Sequence, residues 1–81
     1  MTDEAAMTEL HSILESTDDV DEVLIVLGMA HVAEQRAAEE DKDDFNGLVA
    51  AAMEAATRLG VPREVQEVVK KNAELGRFVE P

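Results

Sequence analysis

Two histidine–glutamate pairs are the residues of this sequence best suited to chemistry. His11 precedes Glu15 by four positions, and His31 precedes Glu34 by three. Residues at these spacings lie on one face of a helix, so each pair could present an imidazole beside a carboxylate. Both groups ligate metals in helical bundles, and a dimer would double the number of ligands. A metal-binding helical protein is therefore one function that the spacing permits.

Residues for other kinds of catalysis are scarce. The chain contains no Cys, Trp or Tyr, and its four glycines form no phosphate-binding loop. An EF-hand calcium-binding loop is excluded as well. If Gly47 is set at the sixth position of such a loop, Lys42 and Met53 occupy its first and twelfth positions, where carboxylates are required. We predict that the protein is not an enzyme, and we expect no cofactor and no bound metal. The histidine–glutamate pairs remain a third alternative for its function.

Acidic side chains dominate the composition. Nineteen Asp and Glu against seven Lys and Arg give a net charge of −12 in 81 residues. Residues 1–35 contain no Lys or Arg, whereas residues 58–81 carry five basic and four acidic side chains. A charge this negative repels nucleic acids and anionic membranes and favours basic partners. An ordinary solvated surface, or adaptation to concentrated salt, would also account for this charge.

Two acidic stretches are the candidate partner-binding sites. They could stand in for the phosphates of a nucleic acid at a basic surface of another protein. The sequence thus predicts a small protein–protein interaction module that acts as an adaptor, regulator or inhibitor. The predicted partner-binding residues are Asp18, Asp19, Asp21, Glu22, Glu39, Glu40, Asp41, Asp43 and Asp44.

Residues 56–71 carry a different functional pattern. Small, apolar and glycine residues follow one another at the spacing of a tight helix–turn–helix crossing: Ala56, Leu59, Gly60, Val61 and Val69. This segment resembles the helix-turn-helix pattern of DNA-binding regulators, although Gln66 stands where that pattern has an inward apolar residue. The resemblance implies a DNA-binding regulator as an alternative function. The residues it would direct toward the groove are Arg63, Gln66 and Lys70, with Lys71 and Arg77 near phosphates.

Hydrophobic periodicity predicts the elements that position these residues. One all-α domain over residues 1–81 would contain helices at about 2–16, 19–38, 44–59 and 62–75. Residues 39–44 are expected to form a linker and the start of the third helix. In the fourth helix Val65, Val68, Val69 and Leu75 are expected to face inward. Phe78 and Val79 are expected to fold back onto the bundle.

The second helix is expected to be the centre of a compact four-helix bundle. Its run Val23–Ala30 is apolar around most of the helix circumference and must be buried on several sides. A chain this short buries only about 60% of its unfolded surface, so self-association would add burial. We predict a symmetric dimer through a second face of this helix, formed by Ile25, Val26, Met29, Val32 and Ala33.

A cytoplasmic location is expected. The first residues are acidic, whereas a signal peptide begins with positive charge. No apolar run approaches the roughly 18 residues of a membrane span. We therefore expect no contact with membranes.

Overall fold

Four α-helices form the fold. The computed structural model describes residues 4–77, in which α1 spans Glu4–Ser16, α2 Val20–Arg36, α3 Glu39–Arg58 and α4 Arg63–Glu74, with no strand among the described residues. The Cα radius of gyration is 11.8 Å, close to the roughly 11.7 Å expected for a compact domain of this length. The predicted all-α class and compact four-helix bundle are confirmed. The predicted packing of Phe78 and Val79 lies outside the described residues.

Each of the four helices has at least one acidic residue in its first turn. Asp19 is the N-cap of α2, and its side chain accepts a hydrogen bond from the backbone N–H of Glu22 at 3.3 Å. The α3 helix begins at Glu39 rather than near residue 44, so the expectation of a linker over residues 39–44 was wrong. Its first turn contains Glu39, Glu40 and Asp41. Negative charges stabilise the amino end of a helix, so this acidic run favours a helix start.

A glycine turn joins α3 to α4. Gly60 has φ +86°, a left-handed conformation that favours glycine, and Pro62 immediately precedes α4. Gly60 thus follows the C-cap Leu59 of α3, and Pro62 is the N-cap of α4. This short turn brings the amino end of α4 back beside the carboxyl end of α3.

The core lies mainly between α2 and α3. Packing between these two helices is the most extensive in the molecule, followed by packing of α2 against α4 and of α1 against α3. Because α3 contacts each of the other helices, the central position predicted for α2 is shared with α3. Small side chains on α3 permit this close approach. The buried apolar residues are Leu14, Val23, Leu24, Leu27, Ala30, Leu48, Val49, Ala52, Ala55, Ala56, Val69 and Ala73.

Candidate functional site

His31 is paired with a residue that the sequence spacing did not indicate. Its Nε2 lies 2.7 Å from Oε1 of Glu74 on α4, and Gln35 Nε2 donates to the same oxygen at 2.8 Å. The hydrogen bonds from His31 and then Gln35 lower the pKa of the Glu74 carboxyl below its ordinary value. Glu34 was the predicted neighbour of His31, but the observed partner is 43 positions away, so periodicity within one helix could not reveal it.

The histidines are not gathered with carboxylates into a metal-binding cluster. Within residues 4–77, no group of three or more His, Cys, Asp or Glu side chains is placed to hold a metal ion. His11 is half-buried and Glu15 is exposed on α1, and His31 and Glu74 form a pair without a third ligand. This arrangement suits a link between α2 and α4 better than it suits metal binding.

The nine predicted partner-binding carboxylates lie at two separate ends of the bundle. Residues 18–22 lie at the amino end of α2, and residues 39–44 form the first turns of α3, just beyond the carboxyl end of α2. The 17 residues of α2 separate the two clusters by roughly 25 Å at 1.5 Å per residue. The structure therefore brings together Asp18, Asp19, Asp21 and Glu22 at one end and the other five at the opposite end.

Arg58 is hydrogen-bonded to main-chain oxygens next to the 18–22 cluster. The Arg58 guanidinium of α3 donates to three main-chain oxygens at the end of α1, those of Glu15 at 2.5 Å, Thr17 at 2.8 Å and Leu14 at 3.1 Å. Helix ends leave such carbonyls without internal donors, and a cation there is favourable. Lys42 likewise donates to a carbonyl, that of Glu34, at 3.0 Å. Both cations thus stabilise the backbone at helix ends.

A cleft lies between α1 and α3 beside the 18–22 cluster. It has a volume of about 400 Å³ and is lined by Leu14, Ala51 and Ala55, with Glu15, Glu54 and Arg58 around them. Sequence reasoning missed Glu54, because only the packing of α1 on α3 places it near Glu15. We call Glu15, Asp18, Asp19, Asp21, Glu22 and Glu54 the acidic end of the molecule. Its apolar floor and carboxylate edges suit a basic segment with an apolar side chain.

The helix-turn-helix expectation is wrong for Gln66. This side chain is 1% exposed, and its Nε2 donates to Thr57 Oγ1 and to the Val61 carbonyl, both at 3.0 Å. Gln66 thus holds the α3–α4 turn together and cannot face a groove. The side chains of Arg63 and Lys70 both lie 3.5 Å from Glu67, which offsets their charge.

Among residues 4–77, three of the four exposed large apolar side chains lie on α4 or at its C-cap, Leu75. Val65, Val68 and Leu75 are 41%, 56% and 66% exposed, so the expectation that they face inward was wrong. The inward positions of α4 are Gln66, Val69 and Ala73, at intervals of three and four residues, so Val69 alone of the four expected residues is buried. Among the predicted dimer residues, Val26 packs against the core of its own chain. Ile25, Val32 and Ala33 are half-buried, and Met29 is 58% exposed.

Comparison with known proteins gives no match: no family model, no curated protein and no solved structure matches this chain. In the part of the chain that the structure describes, no helix combines the length and the apolar character needed to cross a membrane.

Proposed function

We propose that the protein is a small protein–protein interaction module whose acidic end binds a basic segment of another protein. The observation that carries this proposal is the chemistry of the acidic end, where exposed carboxylates border an apolar cleft and the nearby guanidinium of Arg58 is bonded to main-chain oxygens. Such a module would act as an adaptor, regulator or inhibitor of a protein with a basic surface.

The net charge of the molecule favours a basic protein as the partner. The molecule carries a net charge of −12, and residues 1–35 contribute no basic side chain. A field of this sign accelerates encounter with basic proteins and repels nucleic acids. Because surface charges are screened by salt, binding driven by them weakens as ionic strength rises.

The lining of the cleft favours the acidic end over the 39–44 cluster as the binding site. The 39–44 cluster contains Lys42 and lies at a helix amino terminus, as residues 18–22 also do, but the cleft beside it is lined by polar side chains. At the acidic end, Glu15 and Glu54 instead flank an apolar floor of Leu14, Ala51 and Ala55. A peptide that places a leucine between lysines would cover this floor and pair with both carboxylates.

The test is binding of a labelled lysine–leucine peptide, followed by fluorescence anisotropy at low and high salt. We expect binding at low salt that weakens at least about tenfold when the ionic strength reaches roughly 0.5 M. Replacing Glu15→Gln, Asp18→Asn and Asp21→Asn together should weaken binding strongly, since these changes remove three carboxylates without altering the Asp19 cap.

The matched control removes the same number of charges at the other end, by Glu39→Gln, Glu40→Gln and Asp44→Asn. Equal losses in the two triple variants would show a general charge effect and overturn the proposed site. No binding of the peptide at low salt would also overturn it. Retardation of a DNA duplex under the same conditions would favour the helix-turn-helix alternative instead.

Self-association is the second part of the proposal. The exposed apolar side chains Met29, Val65, Val68 and Leu75 would gain burial in a dimer, and a chain of this length has a limited core of its own. A cytoplasmic location, expected from the sequence, is compatible with both parts.

A further inference from the structure

The exposed apolar residues of α4 and of its C-cap are spaced as in a helix–helix seam. Val65, Val68 and Leu75 are exposed and Asn72 is half-buried, and the four follow one another at intervals of three, four and three positions. This is the a/d spacing of a coiled coil. The opposite face of α4 is already buried in the bundle through Gln66, Val69 and Ala73. We call Val65, Val68, Asn72 and Leu75 the α4 seam.

The charges beside this seam are self-complementary. Glu64 precedes Val68 by four positions and Lys71 follows it by three, and both lie on the same flank of the seam at the heptad position before an a residue. In two antiparallel α4 helices related by a twofold axis between Val65 and Val68, Val65 of one copy packs against Val68 of the other, and Glu64 of one copy lies beside Lys71 of the other. Asn72 and Leu75 then lie toward the two ends of the contact. The symmetry repeats this pair on the opposite side of the axis.

The α4 seam is also where two copies of this chain repel each other least. Residues 58–81 have a slight excess of basic side chains, whereas residues 1–35 contain acids and no Lys or Arg. Like charges brought together cost free energy, which disfavours a dimer built on the acidic half of the chain. An apolar surface in the near-neutral region avoids this cost.

We propose that the α4 seam binds the α4 seam of a second copy in antiparallel orientation. This inference rests on the proposed self-association and specifies its interface. It places the contact on α4 rather than on the α2 face of Ile25, Met29 and Val32. The acidic ends of both copies stay free of the interface, so one dimer would present two of them.

The first experiment compares two substitutions at equally exposed apolar residues. Val68 is 56% exposed on the α4 seam, and Met29 is 58% exposed on α2. By light scattering on a sizing column over a concentration series, we expect the unaltered chain to approach twice its mass of 8.8 kDa. Val68→Glu should remain at the mass of one chain, because it places unpaired carboxylates in an apolar contact, and Met29→Glu should still dimerise.

The second experiment exchanges the flanking charges. Glu64→Lys and Lys71→Glu should each weaken dimerisation about tenfold or more, because each places like charges across the seam. The double variant has the net charge of the unaltered chain and should restore the dimer. Circular dichroism checks that each variant is folded.

The outcomes distinguish a failure of the α4 interface from a failure of self-association, on which the inference rests. A single-chain mass at every concentration would overturn self-association as a whole. A dimer that Met29→Glu abolishes and Val68→Glu preserves would overturn the α4 seam and return the interface to α2. Failure of the charge exchange to restore dimerisation would overturn the antiparallel arrangement.

Discussion

At the scale of single residues, buried polar groups determine how the helices are joined. Gln66 is the buried polar residue of the core, and its Nε2 bonds Thr57 and the carbonyl of Val61. Its Oε1 is buried without a hydrogen-bond partner among the described atoms. Unpaired buried acceptors are costly, so this position is sensitive to any further loss of donors.

Gln66→Glu should destabilise the fold by about 3 kcal/mol at neutral pH, because a buried carboxylate would then face the Val61 carbonyl and the Thr57 hydroxyl, whose proton is already donated to the Met53 carbonyl. Gln66→Met, with a similar shape, should cost only about 1 kcal/mol, since it removes the unpaired Oε1 together with the two hydrogen bonds. Urea unfolding measures both values. A Glu variant as stable as the Met variant would show that the site is open to water.

The inward orientation of Gln66 could not be predicted from the sequence. A glutamine is usually exposed, so periodicity favoured its apolar neighbour Val65 for the core. The face of α4 that packs inward depends on the direction in which the Gly60–Pro62 turn aims the helix, a property that no single-residue preference encodes. Local patterns predicted where α4 begins and ends, but not its rotation about its own axis.

At the scale of elements, glycines divide into those that end helices and those that weaken them. Gly60 adopts φ +86° after α3, whereas Gly47 lies exposed within α3, with no atom within 4 Å of the position that a Cβ would occupy. The first requires a conformation unfavourable for other residues. The second only lowers the helix propensity of the segment.

Gly47→Ala should therefore raise the free energy of unfolding by about 1 kcal/mol, and Gly60→Ala should lower it by about 1 kcal/mol. Both variants change one methyl group and no charge, so each serves as the control for the other in thermal or urea unfolding. Destabilisation by Gly47→Ala would mean that the exposed side of α3 is covered by a second molecule.

The four helices were easier to predict from the sequence than the contacts between them. Four helices follow from apolar periodicity, from Asp19 as a cap and from Gly60 as a stop, and each of these features acts within a few residues. The start of α3 was misplaced because an acidic run resembles a solvated linker as much as a helix terminus. The contact of His31 with Glu74, and the position of Glu54 across a cleft from Glu15, require the tertiary arrangement.

At the scale of the whole molecule, self-repulsion is the dominant electrostatic effect. A charge of −12 is confined within a Cα radius of gyration of 11.8 Å, and the Debye length at 0.1 M salt is about 10 Å. Most carboxylates therefore interact with one another at low ionic strength and destabilise the compact state.

Raising NaCl from a few millimolar to about 0.5 M should increase the Tm by roughly 5 °C, the shift that corresponds to about 1 kcal/mol for a domain of this size. A variant with Glu9→Gln, Glu15→Gln and Glu54→Gln should respond less, because it starts with less repulsion. A Tm that falls with salt would show that attractive pairs outweigh the repulsion. A chain that folds only in concentrated salt would favour adaptation to that environment.

The capping of α1 by Arg58 has a consequence for synthesis. Of the four helices, α1 leaves the ribosome before the others, yet the donor for its last carbonyls lies more than 40 positions later in the chain. Until residue 58 emerges, that helix end can be satisfied only by water. Translation therefore completes α2 and α3 before Arg58 can cap α1, so the earliest of the four helices to be made is capped only after two further helices have been made.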